Sequence, residues 1–340
     1  MNRQRGFNLI ELLIAQVVGL ALLVAFLVVL QRSQRDFAGS ESLARLQDSA
    51  RHALGVLAAD IEHAGFFGYS TGARFRLVSR GTTLADQPDL LQPMEGRSIN
   101  AVAGLPGGAH DCGINFAVDL ERVVQGSDNH YRIGRDAGDC EPTDAAGGAK
   151  DGADTLTVRH ASLAVTAPRA GRLQLYASAL SSALPLAIFS DGRAPGPVDD
   201  DHQVRDLEIH TYYIANHSVD RPGWPALRVK SLTESRGAVQ FRDEEVMPGV
   251  EDLQVEFGVA SLEGGEPVVR YVDADTSLAN SGRVVAVRLW LRLCADLTEP
   301  GYSDDRPLGY ANVSFRPDGR EARQRRLLVT RTVALRNPPA

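Results

Sequence analysis

A single carboxylate stands at the start of a long apolar run near the N-terminus. Residues 6–11 read GFNLIE, and the nineteen residues Leu12–Leu30 carry no charge. A charged side chain at membrane depth costs about 2.5–3.5 kcal/mol, so Glu11 needs a counter-charge. Cleavage after Gly6 would supply one, because the new α-amino group of Phe7 would lie four residues before Glu11. The amine and the carboxylate can then pair between neighbouring helices.

The other polar residues form no pattern that is typical of an enzyme. Nucleophilic catalysis needs a nucleophile held beside a base, and the chain has no His-Glu-x-x-His motif. The spacing Gly-x-Ser-x-Gly occurs once, at Gly68–Gly72, but it directly follows the predicted long helix and is not the strand-to-helix turn of a nucleophile elbow. We therefore predict no catalytic residue and no enzymatic activity. None of the eight histidines lies in a recognisable catalytic motif: His52, His63, His110, His130, His160, His202, His210 and His217.

The three cysteines predict a disulfide rather than a metal site. Cys112 and Cys140 flank a polar stretch, and no Cys-x-x-Cys pair is present. In an oxidising compartment a bond between them would stabilise the fold by roughly 3–4 kcal/mol in the chain-entropy model. Cys294 ends an apolar strand pattern, so we expect it to be buried and free.

Two acidic groups are weak candidates for calcium. Asp273 and Asp275 have the alternate spacing of half a calcium loop, and three aspartates follow one another at 199–201. The glycine and the terminal glutamate of a complete loop are missing. Solvated turn residues are the preferred interpretation, and the sequence predicts no metal and no cofactor.

Composition argues against nucleic-acid binding. The 340 residues include 36 basic and 43 acidic side chains, and loss of Arg3 and Arg5 with the leader would take the net charge from −7 to −9. Nucleic-acid binding needs a basic face that neutralises phosphates. We expect no direct nucleic-acid partner.

The elements that position Glu11 begin with one long helix. Residues 7–30 would span about 36 Å as a helix, which is enough for a hydrocarbon core of about 30 Å. Beyond Arg35 the apolar spacing is helical, and no proline occurs before Pro88. Gly65 and Gly68 supply a stop. The apolar stripe consists of Leu43, Leu46, Ala50, Leu54, Leu57, Ile61 and Ala64.

Alternating apolar and polar residues predict a β-rich region after Tyr69. The strongest pattern is 284–293, with Val285, Val287, Leu289, Leu291 and Leu293 on one face. Further strands are predicted at 173–176, 206–214, 226–232, 253–259, 268–272 and 326–335.

The N-terminus resembles the type IV prepilin signal: a short basic leader, Gly6, Phe7, a glutamate at the fifth mature position and an apolar helix. The resemblance implies that a prepilin peptidase cuts between Gly6 and Phe7 and methylates the Phe7 amine. It also implies that Glu11 recruits the subunit to a growing pilus. An ordinary signal anchor, in which Glu11 is incidental, is the simpler alternative.

The later sequence resembles the PilW group of minor pilins at Asp60–Gly68, Thr211–Ala215, Val250–Gly258 and Val333–Asn337. Members often place a cysteine directly after the first of these segments, where this chain has Tyr69. A disulfide of that family is therefore not carried over. The implied fold is α+β and pilin-like, with a long N-terminal α-helix, transmembrane in its first half, packed on a large antiparallel β-rich head.

The expected organisation is a leader (1–6), a transmembrane and filament-core half-helix (7–30), an amphipathic periplasmic half-helix (31–69) and a head (70–340). The resemblance implies a minor pilin that primes or caps a type IV pilus. Its partners would be prepilin peptidase, other minor pilins, the major pilin and a tip adhesin. It would sit in the inner membrane with its N-terminus cytoplasmic and its head periplasmic. The alternatives are a J-like pseudopilin of type II secretion and a membrane-tethered binding protein outside any fibre.

The cleavage prediction is tested by the N-terminus of the mature protein. We expect it to begin at methylated Phe7, since glycine at position 6 lets a protease approach the backbone closely. N-terminal mass spectrometry of protein from wild-type cells is the measurement. An intact Met1 would contradict the prediction.

Overall fold

The computed structural model describes residues 9–69, 75–77, 116, 120–131, 141–180 and 186–338. In these residues a long helix, α1 (Leu9–His63), precedes a head built of β-strands. The strands pair almost entirely antiparallel, and the second half of α1 packs on them. The predicted α+β class, with a long helix on an antiparallel β-rich head, is confirmed.

Helix α1 is continuous over 55 residues, or about 83 Å. It runs without a break through Gly19, Gly39 and Gly55. It ends where predicted, because Gly65 and Gly68 adopt φ of +78° and +74°. Side chains with a Cβ are strained in that left-handed region, so glycine allows the chain to turn away from the helix axis.

The predicted apolar stripe is the face that α1 buries. Leu46, Ala50, Leu57 and Ile61 are at most 4% exposed and belong to one hydrophobic core with strands of the head. Leu43, where the helix only begins to meet the head, is 37% exposed. The second half of α1 is therefore an integral part of the core.

The head has fourteen strands among the described residues. They are β1 (Phe75–Leu77), β2 (Val124–Ser127), β3 (Thr155–Ala161), β4 (Ala170–Ser178), β5 (Leu186–Asp191), β6 (His202–Ala215), β7 (Ala226–Ser235), β8 (Ala238–Pro248), β9 (Val250–Glu263), β10 (Glu266–Asp273), β11 (Arg283–Cys294), β12 (Leu308–Tyr310), β13 (Val313–Phe315) and β14 (Arg326–Ala334). A short helix, α2 (Ser277–Ser281), separates β10 from β11.

Strand β6 organises the larger, eight-stranded sheet. It pairs with β4 through its first residues, with β3 through its middle and with β7 through its last residues. The order along the sheet is β1-β5-β4-β6-β3-β2, and β8 continues from β7. Within the described strands, β1 with β5 is the parallel pair.

A four-stranded sheet, β10-β9-β11-β14, lies against α1 through β14 and β11. The side chains of β11 are buried largely as its apolar pattern predicts, except at Val285. A bulge between Val284 and Ala286 shifts the register against β9. Val284 is therefore buried on the face that continues to Val287 and Leu293, whereas Val285 is only half-buried.

An ionic cluster joins three strands of this sheet. Glu251 of β9 accepts hydrogen bonds from Arg292 Nε of β11 at 3.1 Å and from Arg326 Nε and Nη2 of β14, both at 2.8 Å. Burial by itself raises the pKa of Glu251, but the two guanidinium groups outweigh it and the net pKa is lowered. The carboxylate therefore stays charged in the interior because it is paired.

Every predicted strand is present, and the structure extends most of them. The structure also contains seven strands that the sequence did not predict: β1, β2, β3, β5, β8, β12 and β13. Strand β3 was missed although Thr155, Thr157 and Arg159 alternate with the apolar Leu156 and Val158. All seven side chains of β3 are buried, so its polar face packs inside the protein and does not face solvent.

Two glycines of the same helix-to-head region give opposite predictions. An ideal Cβ on Gly65 would lie 2.2 Å from the Asn337 carbonyl oxygen at a φ of +78°, whereas exposed Gly55 has nothing within 4 Å. We expect Gly65→Ala to destabilise the protein by about 3 kcal/mol or more, because backbone strain and the overlap with Asn337 add together. We expect Gly55→Ala to stabilise the protein by about 0.5–1 kcal/mol. Thermal unfolding of the purified variants measures both, and changes of equal sign would contradict the docking of the helix end.

Candidate functional site

The first half of α1 extends beyond the head. Every side chain from Leu9 to Ala38 is exposed, and the large apolar ones up to Leu30 are 41–73% exposed. It is the one helix in the described part of the chain that is long and apolar enough to cross a membrane, and its most apolar window makes no buried contact with the head. So much exposed hydrocarbon needs lipid or other helices around it.

Glu11 lies in the first described turn of this exposed segment. The next charged residue along the helix is Arg32, so Glu11 is separated from the charged surface of the protein by five turns of apolar side chains. Gly6 and Phe7, the predicted cleavage and methylation site, lie outside the described residues. The Phe7 amine therefore stays a predicted partner of the glutamate.

The head first contacts the helix at Gly39. Arg325 Nε lies 2.8 Å from both carboxylate oxygens of Glu299, and this pair stands against the helix. An ideal Cβ on Gly39 would lie 2.8 Å from Arg325 Nη2. The absence of a side chain therefore lets the Arg325–Glu299 pair approach the helix backbone where the exposed half gives way to the packed half.

The other end of α1 is fixed by backbone hydrogen bonds to β3. The Gly65 N–H donates to the Arg159 carbonyl at 3.0 Å, and the Ala161 N–H donates to the Phe66 carbonyl at 2.6 Å. The tail after β14 also bonds this end, since Arg336 pairs with the Glu62 carboxylate.

Three side chains that could hold a metal meet beneath this helix end. Asp60 Oδ1 lies 2.7 Å from His160 Nε2 and 2.8 Å from His210 Nδ1. Asp60 comes from α1, His160 from β3 and His210 from β6. Asp60 and His160 are buried, while the His210 side chain is 25% exposed.

The charges of this cluster stabilise one another. Burial by itself would raise the pKa of Asp60, but hydrogen bonds from His160 and His210 outweigh it and hold the pKa well below its usual range. Burial opposes charge on His160 as well, yet Asp60 raises the pKa of the imidazole above its ordinary value. Burial and the nearby Asp60 charge also raise the pKa of the Tyr212 hydroxyl.

Sequence reasoning missed this cluster, although one signal was present. Asp60 lies three residues after Leu57 and four before Ala64, so it belongs to the buried face of the helix. An acid on an apolar stripe needs a partner. The partners come from strands 100 and 150 residues further along the chain, and no local pattern identifies them.

The weak calcium candidates lie beside α2. Asp273 ends β10, and its carbonyl accepts the Thr276 hydroxyl at 3.0 Å in the turn before that helix. Burial raises the pKa of Asp273, and the like charges of Asp128 and Asp275 add to this. In the described residues these acids do not come within the spacing of a metal group, whereas Asp60, His160 and His210 do.

Cys294 and Tyr69 lie in the described part of the chain, and each has a structural role there. Cys112 and Cys140, the predicted disulfide, lie outside the described residues. Cys294 is buried and free, as predicted. Tyr69 has its hydroxyl bonded to the Asp200 carbonyl at 3.2 Å and to Gln203 Nε2 at 2.8 Å, so it ties the segment after the helix to the start of β6.

Comparison with known proteins agrees with the C-terminal sequence patterns. Residues 211–337 match the family model of PilW, the type IV pilus-assembly protein W. The predicted resemblance to PilW is confirmed over this region. The match runs from the second half of β6 to the tail that bonds the end of α1.

The structure is also similar to a type IV-like pilin from Thermus thermophilus, with 14% identity over 54% of this chain and 78% of that one and a TM-score of 0.25. That identity is too low to transfer residue roles. No curated protein sequence matches the chain. The PilW match and the N-terminal apolar helix support a pilus-related role and fit a membrane-anchored pilin.

Proposed function

We propose that this chain is a minor pilin that primes or caps the type IV pilus. The observation that carries the proposal is the division of α1 into an exposed apolar half with Glu11 near its start and a second half built into the core of a PilW-type head. Such a subunit can be held in a membrane or filament by one half while the other half orients the head.

In this proposal the chain is processed at Gly6–Phe7, and residues 7–30 serve first as a membrane anchor and then as part of the filament core. Residues 31–69 belong to the periplasmic part together with the head, residues 70–340. The Phe7 amine and Glu11 of neighbouring subunits pair as helices enter the filament. The attraction between two charges surrounded by hydrocarbon is large, and a charge left there without its partner is strongly destabilising.

The head is proposed to contact other minor pilins, the major pilin and a tip adhesin from the periplasmic side of the inner membrane. The four-stranded sheet ends at β10, whose side chains are largely exposed from Glu266 to Arg270. An edge strand can extend its sheet with a strand from a partner. A head of this size is large for a repeating shaft unit, which supports a place at the start or tip.

The PilW match favours pilus assembly over the type II secretion alternative. It does not distinguish a fibre subunit from a membrane-tethered binding protein. Detection of the chain in sheared pili supports the minor-pilin proposal, and its retention entirely in the cell membrane supports the tethered one.

The role of Glu11 is tested in a deletion strain complemented with variants. We expect deletion to reduce surface pili without changing the amount of major pilin, and Glu11→Ala to fail to restore them. Membrane insertion should persist, since the substitution removes a charge from an apolar segment. Pilus counts by electron microscopy and immunoblots of sheared pili and membranes measure these outcomes.

Glu41→Ala is the matched control, because Glu41 lies exposed on the same helix and pairs with Arg45 at 2.5 Å outside the apolar half. Loss of such an exposed pair costs little, so this variant should restore pili fully. Normal piliation by Glu11→Ala would refute the proposed pairing. Unchanged piliation on deletion would refute priming.

A further inference from the structure

The cluster of Asp60, His160 and His210 has the composition of a transition-metal site. Within the described residues, it is the group whose carboxylate and imidazole atoms all lie within 4.8 Å of one another. Ligands of a tetrahedral zinc ion at about 2.0–2.1 Å are separated by just over 3 Å. The three groups therefore need only small side-chain movements to surround an ion.

One oxygen of the cluster is incompletely satisfied. Asp60 Oδ1 accepts both histidine hydrogen bonds, while the buried Oδ2 has no partner within hydrogen-bond geometry, although the Tyr212 hydroxyl also interacts with this carboxylate. The Asp60 side chain is 8% exposed. A buried carboxylate oxygen without a donor is unusual in a native interior, and a cation between the three side chains would bind the carboxylate in place of the two imidazole protons.

The backbone positions the ligands in advance. His160 and His210 project from the same face of the paired strands β3 and β6, because Val158 lies opposite His210 in the register. His160 is flanked by Arg159 and Ala161, whose backbone groups bond the end of α1. Asp60 is thus brought over the two imidazoles by the contacts that end the helix.

A second layer of contacts orients the buried imidazole. His160 Nδ1 lies 2.9 Å from the Ala161 carbonyl oxygen. Donation of Nδ1–H to that carbonyl leaves Nε2, the nitrogen that faces Asp60, as the metal-binding atom. Metal-ligating histidines usually donate their other N–H to a carbonyl or carboxylate in this way.

The ligand types select the ion. Imidazole nitrogens suit zinc and other first-row divalent ions, whereas calcium and magnesium prefer oxygen ligands throughout. The partly exposed His210 provides access from solvent. A fourth position on that side would be left to water.

We propose that Asp60, His160 Nε2 and His210 Nδ1 bind one Zn²⁺ ion, which clamps the end of α1 to β3 and β6. The ion is structural: it joins the element that carries the filament-core segment to the sheet of the head. The proposal concerns the folded chain and does not depend on the proposed role in priming.

The test uses the full chain in detergent, stripped with a chelator and then titrated with ZnCl₂. We expect one zinc per chain by elemental analysis after dialysis, and a rise in Tm with zinc that the chelator reverses. Co²⁺ in place of zinc should give the visible absorption of a four-coordinate site. These measurements need no variant. A Co²⁺ spectrum without four-coordinate absorption, together with a Tm that zinc does not change, would overturn the proposal.

His210→Ala and His202→Ala are matched variants. Both histidines lie on β6 and bond an aspartate, Asp60 at 2.8 Å and Asp199 at 2.7 Å. We expect His210→Ala to weaken zinc binding by about 100-fold or more, since loss of a mere supporting contact costs 10–100-fold. His202→Ala should bind as the wild type does. Equal zinc affinity in the wild type and His210→Ala would show that Asp60 is held by imidazole hydrogen bonds alone.

Discussion

The docking of one helix end against β3 decides how the rest of this protein is arranged. Helix α1 is continuous for 55 residues, so whatever fixes its second half also sets the direction of its first. Two backbone hydrogen bonds, Gly65 to Arg159 and Ala161 to Phe66, hold that end. The buried side chains Leu57 and Ile61 then fill the space between the helix and the sheets. A rigid connection of this kind links the orientation of the head to that of the exposed apolar segment.

Polar groups at the same interface add specificity to the apolar contact. Hydrocarbon packing alone tolerates rotation or sliding of a helix on a sheet, because it has no direction. Asp60 must remain against His160 and His210, and a register shift would leave a buried carboxylate without partners, which costs several kcal/mol. The Arg325–Glu299 pair at Gly39 defines the other end of the packed half. The interface is thus fixed at two points along the helix.

The sequence predicted the parts of this arrangement that local patterns encode. The helix, its buried stripe, its stop at Gly65 and the alternating strands β4, β6, β7, β9, β10, β11 and β14 follow from periodicity and glycine conformation. Strand β3 alternates only over its first five residues, and the burial of its polar face depends on contacts with distant residues. The bulge at Val284–Ala286 in β11 depends on its pairing with β9. The Asp60 cluster depends on contacts between residues up to 150 positions apart. No window of sequence contains such a site, although an acid on an apolar stripe marks one of its members.

The central claim is that the second half of α1 belongs to the head while the first half is dispensable for folding. Two fragments without the apolar half of α1 test it most directly, one starting at Ser33 and one at Tyr69, both ending at Ala340. We expect the Ser33 fragment to be soluble and to unfold cooperatively on heating, because it keeps Leu46–Ile61. The Tyr69 fragment should show no cooperative transition, since a large part of the core surface is uncovered. Cooperative unfolding of the Tyr69 fragment with the stability of the longer one would contradict the account.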